Sequence, residues 1–446
     1  MSLLEKLFGK REPENQNLPV RFGRYSDSYK QPEQYAFWEK SLQAFERQEY
    51  MESYRTFFQY LKDEREGNVV FEEKENRIVF TLFQGSNKVM GFADPEHFKA
   101  EARVARTESM NIGFLRRLVD QNYELKYARF ALDPENNISI VFDTYSLDAS
   151  PYKIYYGLKE LATNADKQDD LLLDEFSTLK PLEIEHLRDL PEAEKEVKYQ
   201  YIQAEIKKVF AMLDAGKPDP KQYPGSIAYM LLYLCYKLDF LTRPEGHMME
   251  VLERIHRLFF AKDDKNAIQK SHLLRKEFQK LLDRSKEDFF KEMYQTPATF
   301  GITAPVNHDK VVAFIDGELM NMDWYAENNY QDVAMAVPGY IVGFCLFNYA
   351  VPQPVRDLFL LYFQVVESDY FRDLGFSPAY YDTATGQFDK KAIVRAIRQI
   401  EDRYEKTYPD MNSPTGQLEF DNLPAFAKSF LLMVRQTYVV KAEDKA

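Results

Sequence analysis

The sequence predicts an α+β protein: an N-terminal antiparallel sheet with flanking helices, followed by a mostly α-helical C-terminal region. Three observations predict it. Between residues 66 and 165, short apolar runs of strand period alternate with turn residues, and a helix, a hairpin and a second helix follow them. From about residue 193 the apolar residues recur at helical spacing, with Pro and Gly clusters at the breaks. Hydrophobic residues make up 45% of the 446 residues and aromatic residues 15%, enough to fill a sizeable core largely with rings.

The division that follows is an arm over 1–35, an α+β domain over 36–180, a helical domain over 193–296, and a second helical domain or its continuation over 305–446. In the arm, Leu3, Leu4, Leu7 and Phe8 sit at helical spacing. Residues 18–30 carry Phe22, Arg24 and Tyr25 with no regular period, which suits an extended segment packed on the body or a recognition strip. A helix is expected over 32–62, with Trp38, Leu42, Phe45, Tyr50, Tyr54, Phe57, Phe58 and Leu61 as its apolar stripe. A shift in that stripe predicts a break near Glu49, and Gly67 suits a C-terminal cap.

Strands are expected over 68–73, 77–83 and 88–92. The second is apolar on both faces, as a central strand would be. Residues 97–106 alternate Phe98, Ala100, Ala102 and Val104 with charged side chains, which reads as an edge strand, with a helix as the alternative. Ser109 or Asn111 caps a helix through Gln121 that buries Phe114, Leu115 and Leu118. The segment 133–137 (Asp-Pro-Glu-Asn-Asn) predicts the turn of a hairpin. Ser150 and Pro151 open a helix to about Ala165, and a further short helix is expected over 169–179. The charged stretch 183–196, with Pro181 just before it and Pro191 within it, reads as a domain boundary. Helices are expected beyond it over 193–215, 221–240, 245–261, 264–293, 308–328, 339–350, 354–371, 389–407 and 423–440.

Composition narrows the function. A net charge of −13 argues against a nucleic-acid partner, which needs clustered cations. Cys235 and Cys345, the only cysteines, sit in apolar runs and read as buried reduced thiols, as in a cytoplasmic protein. The stretch 333–351 is uncharged over a length that could span a bilayer. Pro338, Gly339, Gly343 and Asn348 interrupt it, and the expectation is a buried core helix starting near Pro338 rather than an integral membrane segment.

Phosphate-loop, dinucleotide-loop, nucleophile-elbow and zinc spacings are missing, so no cofactor is expected. His247, Glu250, Glu253 and His256 share a predicted helix, where the basic neighbours Arg254 and Arg257 favour a solvated charged face over a metal site. The candidate for carboxylate chemistry is Asp316, Glu318 and Asp323 on an otherwise apolar helix. Asp316 and Glu318, two apart, point to different faces.

Residues 110–142 carry a family pattern: a helix with Asn122 near its end, a strand ending in Phe130, Leu132 and Asp133, then a turn into a second strand. With the preceding helix and strands and the helix after Ser150, this resembles the YbjN-like family and, more distantly, the CesT (Tir) type of type III secretion chaperone. The match spans about 36–178. The resemblance implies an α+β module that dimerises or binds an unfolded or extended polypeptide, and it carries over no catalytic residues. The function expected is a non-enzymatic, chaperone-like adaptor for a protein or peptide partner, a second copy of the chain in a homodimer being one such partner, with Phe22, Arg24, Tyr25 and Phe98 as candidate contacts. The alternatives are an enzyme using carboxylates of the helical half and a structural homo-oligomer.

Overall fold

The computed structural model describes residues 20–23, 30, 32–64, 66–107, 112–176, 178–180, 182, 187–216, 219, 222–301, 303–377 and 379–441. The amphipathic stretch at 1–10, the cap at Ser109 or Asn111, Arg24 and Tyr25 lie outside these residues.

The first helix is broken where the stripe shifts. Helices α1 (Pro32–Glu46) and α2 (Tyr50–Leu61) meet at a turn in which Gln48 takes φ +62°. The Ser41 and Ser53 hydroxyls each donate to the other's carbonyl, at 2.8 and 2.9 Å, so these small side chains let the two helices pack closely. Gly67 does not cap α2. It closes a separate turn, donating its N–H to the Asp63 carbonyl.

Strands β1 (Val69–Lys74), β2 (Arg77–Gln84), β3 (Asn87–Ala93) and β4 (His97–Thr107) run as an antiparallel meander. Helix α3 (Ile112–Glu124) then leads to the hairpin of β5 (Arg129–Leu132) and β6 (Asn137–Tyr145). The sheet order is β1-β2-β3-β4-β6-β5, and the short β7 (Leu179–Lys180) pairs with the end of β4. Strand β4 is therefore not an edge but lies between β3 and β6, with Ala100 opposite both Gly91 and Phe142. One face of the sheet packs on α2 and on α4 (Pro151–Glu175). There Phe58 meets Phe80 at 4.6 Å, and Phe98, Ile140 and Phe142 are buried. The other face carries the charges of β4, together with exposed Val70, Val79 and Met90.

Ser150 caps α4 by accepting the Lys153 N–H. The helix does not stop at Ala165 but runs on without a second helix. Its next turn is fixed from outside: Asp166 accepts the Ser86 N–H at 2.8 Å, and Asp169 accepts the Ser86 hydroxyl at 2.7 Å.

The helical half comprises α5 (Glu192–Asp214), α6 (Pro224–Thr242), α7 (Gly246–Phe260), α8 (Ala267–Asp283), α9 (Lys286–Lys291), α10 (His308–Glu318), α11 (Met320–Glu327), α12 (Gln331–Asn348), α13 (Gln353–Val366), α14 (Ser368–Asp373), α15 (Lys390–Tyr404) and α16 (Leu423–Gln436). One hydrophobic core runs through the helices on both sides of Pro305. Its centre is the contact of α6 with α12, both buried over most of their length. A Cβ on Gly339 or Gly343 would lie within 2.6 Å of Tyr233 or Tyr236, so this close approach needs glycine. Pro338 does not start α12 but sits inside it, seven residues after Gln331. Among the described residues no helix is long and apolar enough to cross a membrane.

The two halves are joined through residues 297–300. Phe300 is buried in the core of the α+β module. The Gln84 side chain donates to the Phe300 carbonyl at 3.1 Å and accepts its N–H at 2.8 Å, and the Thr299 hydroxyl donates to the Phe83 carbonyl at 2.6 Å. Lys167 of α4 adds ion pairs to Glu250 and Glu253 of α7, at 2.6 and 2.8 Å.

Candidate protein-binding surface

Helix α3 is apolar on two opposite faces. Phe114 and Leu118 point inward and are buried, the Phe114 ring lying 6.2 Å from Phe176. At spacings of seven and four residues, Ile112, Val119 and Tyr123 form a second stripe on the solvent side, 86%, 67% and 89% exposed. A helix that only covers a sheet needs one apolar face, so the second is unexplained by the fold. Tyr127, on the chain that leaves the helix, and Leu132, at the end of β5, are exposed as well. Among the described residues, twelve of the seventeen exposed large apolar side chains fall within 36–180, which places most of the exposed apolar surface on the α+β module.

The corner carrying this stripe is held by side chains. Glu160 of α4 accepts the backbone N–H groups of Lys126, Tyr127 and Ala128 at 2.8, 2.7 and 2.9 Å. Asn122 accepts the Phe130 N–H at 2.6 Å and donates to the Phe130 carbonyl at 3.4 Å. Asp133 closes the hairpin by accepting the Asn137 N–H at 2.8 Å and the Asn137 amide at 2.7 Å. Burial works against the Asp133 charge, but the bonds from Asn137 and Glu135 and the nearby Arg103 hold its pKa below the usual carboxylate range.

The sheet edges offer little to an added strand. On β5, Asn122 occupies both main-chain groups of Phe130. On β1, Glu72, Glu73 and Lys74 put charges along the edge.

The other predicted contacts lie elsewhere. Phe98 is fully buried between Phe58, Phe80 and Phe142, because β4 is an interior strand whose apolar side faces the core, and it offers no contact to a partner. Phe22 is buried against the helical half. The three carboxylates of α10 and α11 do not converge. Asp316 pairs with Arg435 at 2.5 Å and Asp323 with Lys428 at 2.6 Å, both on α16. Glu318 turns instead to α6, where it accepts the Tyr229 hydroxyl at 2.5 Å. None of the three lines either of the two cavities described below.

Glu250 and Glu253 are engaged by Lys167 and Arg257, and His256 shares a 2.8 Å hydrogen bond with the Tyr236 hydroxyl. Among the described residues no group of three His, Cys, Asp or Glu side chains is placed to hold a metal ion. The outer stripe of α3 escaped sequence reasoning because the inner residues already satisfied a helical period. The signal was there in Ile112, Val119 and Tyr123, three apolar residues too many for one face. No protein-family model and no curated protein matches this chain.

Proposed function

We propose that the protein is a non-enzymatic adaptor that binds a polypeptide partner through its α+β module. The observation that carries this is the second apolar face of α3, formed by Ile112, Val119 and Tyr123. The partner is a segment with its own apolar stripe, an amphipathic helix laid along α3, and not a strand added at an edge. Such a contact removes from water exposed apolar side chains that otherwise have no reason to persist on a protein this acidic.

The YbjN-like resemblance belongs to the same reading. Its support is the order of helices, strands and hairpin, with Asn122 and Asp133 fixing the corner. A cytoplasmic location is supported by two buried free thiols, Cys235 and Cys345.

The test uses the full chain as bait, cross-linked in its native cell, beside a Val119→Glu, Tyr123→Glu variant. Both positions are exposed, so the variant keeps the melting temperature of its parent. A partner recovered with the wild type and lost with the variant supports the reading, and equal recovery refutes it. Mass photometry of the purified chain shows whether that partner is a second copy.

A further inference from the structure

The short arm at residues 20–23 lies across the seam between the two halves. It is held there as a peptide ligand is held. The Phe22 ring packs among Phe240, Phe371 and Phe376, with centroids 6.5, 5.2 and 5.8 Å away. The Phe22 carbonyl accepts from Arg356 Nη2 at 2.7 Å, and the Gly23 N–H donates to the Phe240 carbonyl at 2.9 Å. Arg21 meets Glu66 of the α+β module at 2.5 Å. Gly23 adopts φ +75°, and a Cβ there would stand 3.1 Å from the Phe240 ring and 3.3 Å from Arg356 Nη2. The position therefore accepts glycine and little else.

Two cavities flank the arm, one of about 1160 Å³ and one of about 320 Å³. Both are lined by Val20, Phe22, Asp357, Leu360 and Arg403, so residues 20–23 lie along one groove. Clefts between domains are where ligands are most often bound.

We infer that this groove is a recognition site for a peptide segment in which an aromatic residue is followed by glycine, and that the chain's own arm is its resident ligand. The inference rests on the protein-binding reading above and adds a second contact for the same class of partner. The features of recognition are all present: a side-chain socket, main-chain bonds on both sides, and a glycine where the backbones touch. Among the described residues the arm's hold comes from one ring, two main-chain bonds and the Arg21–Glu66 ion pair, while the entropy of ordering residues 20–23 opposes it. Its advantage over a free segment is the tether, which raises its local concentration. A partner segment of the same chemistry competes once that advantage is met or the arm is weakened.

The probe is a fluorescent peptide of residues 18–24, titrated by anisotropy against the full chain and against Phe22→Ala and Gly23→Ala variants of the full chain. The first variant removes the plug, and the second disturbs the backbone while leaving the ring. Thermal melts establish that each is folded. Binding at least ten-fold tighter to both variants than to the wild type, and lost at least ten-fold when the peptide itself carries Ala in place of Phe22, supports the inference. Equal binding to all three chains, binding to none, or equal binding of the Ala peptide overturns it. The Val119→Glu, Tyr123→Glu chain combined with Phe22→Ala separates the two readings. Peptide binding that survives there while partner capture is lost leaves both standing. Partner capture that depends on α3 in the absence of any peptide binding overturns the groove alone.

Discussion

Lys237 is buried in the middle of the helical half, and its replacement tests how that half is held. Its ammonium group donates to Glu205 of α5 and, at 3.0 Å, to Glu367. Glu367 also accepts the hydroxyls of Tyr233 and Tyr201, at 2.7 and 2.9 Å. Burial opposes the Glu367 charge, but the Lys237 ammonium and the bonds from Tyr233, Lys237 and Tyr201 outweigh it, and the carboxyl titrates below its usual range. Burial likewise opposes the Lys237 charge, and Glu367 and Glu205 more than offset it, so the lysine titrates above its usual range. Lys237→Met fits the same space but leaves the Glu367 carboxylate with no cation and Glu205 with only the more distant Lys208, 4.0 Å away, a loss of about 3–5 kcal/mol. With an m-value of roughly 2–3 kcal/mol/M, the urea midpoint falls by roughly 1–2 M. Adding Glu367→Gln removes the stranded charge and recovers part of the loss. The sign with pH follows from the two directions. A lowered carboxylate pKa contributes fully above about pH 4.3 and is lost as pH falls through the folded value. A raised lysine pKa contributes fully below about pH 10.4 and is lost as pH rises through its folded value. In Lys237→Met the Glu367 carboxyl loses the cation that outweighs burial and titrates higher, so the gap between wild type and variant widens as pH rises above about 4.3 and narrows again above about pH 10.4. A penalty below about 1 kcal/mol, or one equally large at pH 3 and pH 7, would refute the reasoning.

Phe300→Ala empties the core position where the helical half enters the α+β module, beside Tyr155 at 5.5 Å. It costs about 3–5 kcal/mol in chemical denaturation, with the sheet module melting ahead of the helices. A loss under about 1 kcal/mol would mean that the junction is carried by the ion pairs of Lys167. His256 is pushed down to about 4 by burial and by the neighbouring Arg257. Because its folded pKa lies below the ordinary 6.5, the fold gains full stability from it above pH 6.5 and loses that contribution as pH falls toward 4. An NMR titration of its ring should show the midpoint near 4, and a midpoint near 6.5 would contradict the packing around Tyr236.

Local chemistry was legible where the deciding residues are neighbours in sequence. The break near Glu49, the turn at 133–137 and the Ser150 cap each depend on a few adjacent side chains, and each forms as read. The position of β4 was not. Its charged residues alternate with apolar ones because the sheet has one open face, and a central strand of such a sheet shows the same alternation as an edge. Only the pairing of Ala100 with Phe142, some forty residues on, decides between them. The length of α4 escaped for a similar reason, since Asp166 and Asp169 are satisfied by Ser86 on a distant turn. In the carboxylate set, sequence spacing correctly separated Asp316 from Glu318. It could not show that their counterparts are Arg435 and Tyr229, each contributed by a different helix.

The α3 surface is distinguished from an ordinary scatter of exposed apolar residues by how rigidly it is presented. An isolated exposed Val or Tyr needs no explanation. Here three of them lie along one stripe, and the chain leaving the helix is bound at four residues, Lys126, Tyr127 and Ala128 by Glu160 and Phe130 by Asn122. A surface fixed in advance loses little conformational entropy when a partner docks, so more of the burial energy is left for affinity. The same Asn122 bonds close the β5 edge, which removes strand addition as a competing mode and leaves the helix face as the route in. Asn122→Ala separates these two effects. It frees the Phe130 main chain and loosens the corner while leaving Ile112, Val119 and Tyr123 unchanged. Partner binding that weakens with Asn122→Ala, in a chain that remains folded, would show that pre-organisation contributes, and unchanged binding would assign the affinity to the stripe alone.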